Sequence, residues 1–199
     1  MGVKNYEKLR ERIIKNLPKE RKDHILSVEI MAKEYAKRLD VSEERASIAA
    51  LLHDMTKAMP NEKAIDFVKR HSNKNYNFKK DSVHAISASV LARVNYQIQD
   101  KGIVSAIRYH SIPNSRMSKL EKVIYLADWT EITREGNEAA AIRKIAETDI
   151  DSAILFGIEL EVMERLRLGK HINSRFISAR NNLLQKIKND RKTTKDETR

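Results

Sequence analysis

Cysteine is absent from the sequence, which excludes disulfide bonds, thiolate metal sites and cysteine nucleophiles. Long apolar runs are absent too. The longest uncharged stretch, residues 82–92, has about half of the roughly 20 residues that cross a bilayer. Residues 1–15 mix both charge signs and lack the apolar segment of a signal peptide. We therefore expect a cytoplasmic protein that does not span a membrane.

Positive charge is in excess, with a net charge of +11, but it is concentrated at the two ends. Residues 1–23 contain eight Lys and Arg against four Asp and Glu, and residues 186–199 contain six against three. Between these ends Lys and Glu alternate, which is typical of solvated helix faces. A duplex-binding surface requires clustered cations in the folded part, so we do not expect nucleic acid as a partner. An anionic small substrate accounts for the excess equally well.

Turn-forming residues are few, with five glycines and three prolines, and apolar residues recur at helical spacing, which predicts an all-α fold. Ser42 is predicted to cap the start of a helix, and residues 118–121 are predicted to form a capping box. Gly169 is predicted to end a helix in a left-handed C-cap. The predicted helices cover approximately residues 6–17, 21–39, 42–54, 60–70, 82–95, 101–110, 118–128, 150–168 and 174 onwards.

The helical pattern indicates one domain over residues 19–185. Residues 1–18 carry an apolar stripe and are predicted to form a helix that packs on this domain. The same stripe could instead pack against a second copy, so a homodimer stays open. The basic segment 186–199 is predicted to be a disordered tail.

Histidines and aspartates fall near helix ends or on apolar faces of five predicted helices. They are His24, His53, Asp54, His84, His110 and Asp128. A single inward histidine is more often a hydrogen-bonded core residue than a ligand. A buried carboxylate such as Asp128 is costly unless a cation pairs with it, so the set favours a metal site inside a helical bundle. Nitrogen and oxygen donors without sulfur suit iron, manganese, zinc or cobalt rather than calcium.

The order of these residues resembles that of the HD-domain metal-dependent phosphohydrolases: a histidine, the His53–Asp54 pair, two further histidines and a distant aspartate. The motifs RKDHILSV, LLHDMTK, VHAISA, AIRYHS, LEKVIYLADWTE and GKHINSRFISARN are similar to those of the YqeK-type branch. The resemblance covers residues 20 to 184, approximately. It implies a helical HD-domain bundle with a binuclear iron centre that hydrolyses diadenosine tetraphosphate symmetrically to two ADP.

The resemblance also implies roles for individual residues. It places His24, His53, Asp54 and Asp128 around a first metal ion, and Asp54, His84 and His110 around or beside a second. The implied catalytic residues are Asp54, Lys57, His84 and His110. The implied substrate contacts are these four together with Ser111, Arg134, His171, Asn173, Ser174 and Arg175.

Ordinary structural roles compete with several of these assignments. Lys57 would otherwise be a solvated lysine, and Ser111 a turn residue. Arg134 and Arg175 belong to a chain with 39 basic residues, so either could be ordinary surface. The segment 171–174 would otherwise hold only the caps of two adjoining helices.

The sequence departs from the branch at three places. Ala85 stands where a glycine is usual, WTEITR at 129–134 replaces a segment similar to YIEPGR, and Asn173 stands where a proline is usual. These changes leave the implied metal ligands intact. Trp129 is predicted to pack in the core rather than to stack on a base, and His71 is predicted to be exposed.

Two other functions stay open at this point. The first is an HD phosphohydrolase that acts on a deoxynucleotide or a signalling nucleotide. The second is a metal-free module that binds nucleotides or RNA through the basic ends of the chain.

Overall fold

The fold consists of helices: the computed structural model describes residues 5–197, and no strand occurs in this range, which confirms the all-α prediction. No helix within these residues combines the length and apolarity needed to cross a bilayer. Two 3-10 turns, Lys19–Arg21 and Lys80–Ser82, lead into the second and fifth helices. The helices are α1 (Tyr6–Lys15), α2 (Lys22–Arg38), α3 (Glu43–Leu52), α4 (Asn61–His71), α5 (Val83–Asn95), α6 (Lys101–Tyr109), α7 (Lys119–Thr130), α8 (Asn137–Ala146), α9 (Ile150–Arg167) and α10 (Ser174–Glu197).

Helix α3 lies at the centre of the bundle, in contact with α1, α2, α5, α6 and α7. Every residue from Ala46 to Leu52 is fully buried, and the small alanine and serine side chains let neighbouring helices approach closely. The predicted N-cap is confirmed, since the Ser42 hydroxyl accepts a hydrogen bond from the backbone N–H of Arg45. The helix ends at Leu52, so the chain delivers His53 and Asp54 into the middle of the bundle.

Helices α2 and α7 pack against each other and against α3. The predicted capping box of α7 is confirmed, because the Ser118 hydroxyl accepts from the Glu121 backbone N–H and the Glu121 carboxylate accepts from the Ser118 backbone N–H. Helix α5 packs between α4 and α6. Together these helices surround the C-terminal end of α3.

Helix α1 packs on α3 of the same chain. The Tyr6 hydroxyl donates to Ser47 Oγ over 3.0 Å, and Arg10 donates two hydrogen bonds, of 2.7 and 2.9 Å, to the carboxylate of Glu29 on α2. Ile13 and Leu17 are buried. The apolar stripe of Tyr6, Leu9, Ile13 and Leu17 therefore packs against the core of the same chain.

Helix α8 has no counterpart among the predicted helices. Its sequence, NEAAAIRKIA, is short, and no side chain caps its start at Gly136, whose φ of +109° suits glycine. Ala139, Ile142 and Ala146 are nevertheless buried. Packing against α9 therefore stabilises a helix for which the sequence lacks a start signal.

The C-terminal segment 186–199 is helical as far as Glu197, where the sequence predicts disorder. The apolar stripe of α10 continues past residue 185, because Ile187 is buried one turn beyond Leu183. Lys186 also donates to Asp151 of α9 over 2.6 Å. The described helix therefore continues beyond residue 185, and residues 198–199 of the predicted tail lie outside the described range.

Candidate metal centre

Three of the predicted ligands meet where α2, α3 and α7 converge. His24 Nε2 lies 3.3 Å from His53 Nε2 and 3.4 Å from Asp128 Oδ1. His24 lies in the first turn of α2, His53 directly after α3, and Asp128 in the last turn of α7. Each offers one donor atom within 4.8 Å of the other two, so the triad could hold a metal ion.

A second triad shares His53 with the first and adds Asp54 and His110. Asp54 Oδ1 lies 3.4 Å from His110 Nε2 and 3.6 Å from His84 Nε2. The Nε2 atoms of His84 and His110 are 3.1 Å apart. Asp54 Oδ2 faces the other way, 3.7 Å from His24 Nε2. The Asp54 carboxylate therefore lies between the two sets of imidazoles.

Backbone carbonyls fix the protonation of two of the imidazoles. Nδ1 of His53 donates to the Ala50 carbonyl over 2.6 Å, and Nδ1 of His110 donates to the Ile107 carbonyl over 2.8 Å. A carbonyl only accepts, so in the neutral ring the proton is on Nδ1 and Nε2 carries a free lone pair. Such hydrogen bonds also orient metal-binding imidazoles in proteins.

Burial favours the neutral form of the His53 and His84 imidazoles. It lowers the pKa of His53 to about 4, even though the Asp54 carboxylate acts in the opposite direction. Burial, with the nearby His110 and Lys57, also lowers the pKa of His84 well below the usual range. Burial alone would raise the pKa of Asp54, but His53, His110 and Lys57 outweigh it, so the pKa of this carboxyl is lowered. Neutral imidazoles beside an ionised carboxylate are the forms that bind metal ions.

A buried carboxylate oxygen of Asp54 indicates whether the cluster suits a cation. Asp54 Oδ1 is inaccessible to solvent and accepts no hydrogen bond from the described residues. Close to it, the Nε2 atoms of His84 and His110 lie 3.1 Å apart. A buried unsatisfied carboxylate oxygen is costly, and a cation between these donors satisfies oxygen and nitrogens together. The donor set therefore fits a transition-metal ion.

Cationic side chains surround the cluster. Lys57 Nζ lies 3.2 Å from His84 Nε2, one turn beyond Asp54. Arg134 Nη2 donates to Asp128 Oδ1 over 3.4 Å, and its guanidinium lies over the Trp129 ring at 5.3 Å. The site therefore presents positive charge to an anionic ligand.

Sequence reasoning missed two residues of the site. Arg21 donates from Nη2 to Asp54 Oδ2 over 2.6 Å. Arg21 lies in the 3-10 turn before α2, and its spacing from His24 alone does not distinguish it from a surface arginine. Glu131, directly after α7, places Oε1 3.5 Å from His24 Nδ1, and its carboxylate also accepts from the Thr133 backbone N–H and hydroxyl.

The remaining predicted residues lie around the cluster rather than within it. Ser111 is half-buried and donates to the Asp81 carbonyl over 3.3 Å. Asn173 Oδ1 accepts from the Arg175 backbone N–H over 3.0 Å at the start of α10. His171, Asn173, Ser174 and Arg175 line a cleft of about 1040 Å³ that also includes Tyr109, the neighbour of His110. Trp129 is half-buried against the core.

Residues outside the implied site behave as ordinary surface or core. His71 is exposed, as predicted, and its ring lies 4.5 Å from that of Phe67. Ala85 is fully buried in α5, so the methyl group that replaces the usual glycine is accommodated.

Comparisons with known proteins show which family the chain belongs to. Residues 21–133 match the HD domain family. The chain is 33% identical to "Bis(5'-nucleosyl)-tetraphosphatase, symmetrical" of Bacillus subtilis over 138 residues, 68% of this chain and 74% of the relative. It is 29% identical to the protein of the same name from Halalkalibacterium halodurans over 171 residues, 85% of this chain and 91% of the relative.

A solved structure extends the likeness to the whole fold. The crystal structure of a predicted HD superfamily hydrolase involved in NAD metabolism, from Clostridium acetobutylicum, has a TM-score of 0.80 and 30% sequence identity. The match covers 91% of this chain and 97% of that one. The helical bundle and its buried His/Asp cluster thus define an all-α hydrolase with residues that could bind metal. The chain belongs to the HD-domain family, which confirms the resemblance seen in the motifs.

Proposed function

We propose that this protein splits diadenosine tetraphosphate symmetrically into two molecules of ADP, in the cytoplasm and with bound metal. The observation that carries the proposal is Asp54, whose two carboxylate oxygens face two different sets of imidazoles. Support also comes from the relatives in Bacillus subtilis and Halalkalibacterium halodurans, whose name describes this reaction.

The metal positions in this proposal follow the two sets of donors. His24, His53, Asp54 and Asp128 hold the first ion, while Asp54, His84 and His110 hold the second. Iron is our first choice because of the family resemblance, and manganese, zinc and cobalt suit the same donors. A pair of such ions supplies Lewis acidity, which acidifies water and draws charge from phosphoryl oxygens.

The protein's cations orient the polyphosphate in this proposal. Lys57, beside His84, neutralises charge on the phosphoryl group that is attacked. Arg134, held between Asp128 and Trp129, offers its guanidinium to phosphate oxygens, for which paired hydrogen bonds are suited. Ser111 donates its hydroxyl to a phosphate or ribose oxygen. Arg21 holds the Asp54 carboxylate in place.

The segment before α10 contacts the nucleotide in this proposal. His171 and Ser174 are exposed, and Asn173 and Arg175 are half-buried, at the mouth of the cleft. The Asn173 side chain caps the backbone of Arg175, which holds the segment in one conformation. These side chains offer hydrogen bonds to ribose and phosphate.

A substrate panel tests the reaction. Protein purified without chelators is incubated with diadenosine tetraphosphate, deoxynucleotides, signalling nucleotides and NAD, the last because the Clostridium acetobutylicum neighbour is described as involved in NAD metabolism. We expect ADP as the single product of diadenosine tetraphosphate by ion-exchange chromatography. Formation of ATP with AMP, or turnover of another nucleotide alone, would overturn the proposal. Elemental analysis of the same sample is expected to find transition metal, and its absence would favour a binding module.

A further inference from the structure

The cleft beside the metal centre is lined by cations on several sides. It lies against α5, α6, residues 74–79 and the start of α10, and its volume of about 1040 Å³ suits a small ligand. No acidic residue is among the described residues that line it. Its cationic side chains are those of Lys74, Lys79, Arg93, Lys101, Arg108 and Arg175.

Helical spacing explains how these side chains share one cleft. Ser89 and Arg93 are one turn apart on α5, and Lys101, Ser105 and Arg108 follow one face of α6. Between Lys101 and Tyr109 the helix rises about 12 Å, a distance that a nucleoside diphosphate can span. Because Tyr109 precedes His110, the cleft begins next to the metal centre.

Two guanidinium groups converge on one ring in this cleft. Arg108 lies over the Tyr109 ring at 5.2 Å and Arg175 over the same ring at 4.7 Å. Arg108 also lies 5.7 Å from the centre of the Tyr76 ring. Both arginine side chains are half-buried. Like charges are thus held together in partly desolvated positions, which is unfavourable unless an anion joins them.

An unsatisfied donor points to the same conclusion. Arg175 Nη1 is inaccessible to solvent and has no hydrogen-bond partner among the described residues. Neither guanidinium forms an ion pair with a described carboxylate. Buried donors in proteins are nearly always satisfied, and guanidinium groups match phosphate oxygens in shape and charge.

We propose that this cleft binds the second nucleoside diphosphate unit of the dinucleotide, the half that leaves when the central phosphoanhydride is split. Its phosphates lie between Arg108 and Arg175, its base reaches the Tyr76 ring, and Arg93 and Lys101 neutralise it from the outer rim. This inference rests on the proposed function and adds a reason for dinucleotide selectivity, because one mononucleotide bound at the metal centre makes no contact with the cleft.

Charge reversal at the outer rim tests the inference. Arg93 and Lys101 are exposed and lie on α5 and α6, so R93E/K101E changes the cleft without touching the metal cluster. The matched control, K63E/K69E, makes the same change of charge on two exposed lysines of α4. The stoichiometry of ADP binding is measured by titration calorimetry on protein purified without chelators, and KM and kcat are measured with diadenosine tetraphosphate.

We expect two ADP per chain for the wild type and the control, and one for R93E/K101E. The KM of R93E/K101E should rise about tenfold, which is the usual effect of losing a charge-assisted contact. The kcat should stay within about twofold of wild type. Wild type that splits the dinucleotide yet binds one ADP, or R93E/K101E that still binds two, would overturn the cleft site. Wild type that does not yield ADP from the dinucleotide would instead overturn the proposed function, and the two failures are therefore distinct.

Discussion

Arg21 Nη2 lies 2.6 Å from Oδ2 of Asp54, on the side of the carboxylate that faces His24. The contact joins the 3-10 turn before α2 to the segment after α3. The Arg21 side chain is 31% exposed while that of Asp54 is 3% exposed, so a half-buried guanidinium reaches a buried carboxylate. The pair fixes the orientation of the carboxylate that lies between the two sets of imidazoles.

Substitution R21Q should lower metal affinity or kcat/KM about 10- to 100-fold, the usual effect of losing a partner that orients a metal ligand. Lys22, exposed and next in sequence, provides the control K22Q, which should behave as wild type. Metal affinity is measured by competition with a chelating dye. R21Q protein with wild-type affinity and turnover would show that the contact does not position Asp54.

Substitution D54N should remove metal binding and reduce turnover about a thousandfold, because the amide replaces the carboxylate that faces both sets of imidazoles. Elemental analysis measures the metal content, product chromatography measures the turnover, and circular dichroism checks that the helices persist. The control is D23N, at an exposed residue beside His24. Full metal content in D54N would remove Asp54 from the proposed site.

Substitution E131Q should lower metal affinity about 10- to 100-fold because the carboxylate lies 3.5 Å from His24 Nδ1 and favours metal binding through Nε2. The exposed Glu135 on the same segment provides the control E135Q. Both variants are compared by chelator competition at one pH. Equal affinity in the two would mean that Glu131 only anchors its own loop through Thr133.

The buried carboxylate of Glu29 should make stability depend on pH. Burial alone would raise its pKa, but hydrogen bonds from Arg10, Ser47 and Lys33 outweigh it and lower the pKa of Glu29. The stabilisation is therefore fully present above the unfolded pKa of about 4.3 and is lost as pH falls through the lower folded value. At pH 7, E29Q should unfold about 1–3 kcal/mol more easily.

Urea unfolding between pH 3 and pH 7 measures this difference. The difference in the free energy of unfolding between wild type and E29Q should stay constant at neutral pH and become smaller below about pH 4.3. The exposed Glu34 of α2 provides the control E34Q, expected within about 0.5 kcal/mol of wild type. A gap that widens on acidification would contradict the sign of the pKa shift.

Truncation tests where the packed part of α10 ends. Removal of residues 186–199 deletes the buried Ile187 and the contact of Lys186 with Asp151, and should destabilise the protein by about 2–3 kcal/mol. Removal of residues 191–199 should cost less than about 0.5 kcal/mol. The two forms are compared by thermal unfolding, and equal stability would place the boundary at residue 185.

The sequence predicts most of the fold because apolar spacing and caps are local signals. Ser42, Ser118 and Gly169 mark helix ends that the structure confirms. Helix α8 escapes prediction because its ten residues begin without a side-chain cap and owe their helical state to α9. The end of α10 is missed because its composition is polar, while one isoleucine still anchors it.

Only part of the candidate site could be predicted from the sequence. His24, the His53–Asp54 pair and Asp128 stand out because polar residues on apolar faces need a partner, and the motif order supplies the grouping. Arg21 and Glu131 do not stand out, since a charged residue at a helix end is ordinary. Their contacts depend on how α2, α3 and α7 pack, which one-dimensional spacing does not reveal.

The placement of Asp54 between two imidazole groups has a further consequence for how the proposed pair of ions would bind. Arg21 already orients this carboxylate, so a first ion would mainly take up part of its negative charge. A second ion beside it would then bind more weakly because the two cations repel each other, and a titration of metal-free protein should show two separate steps.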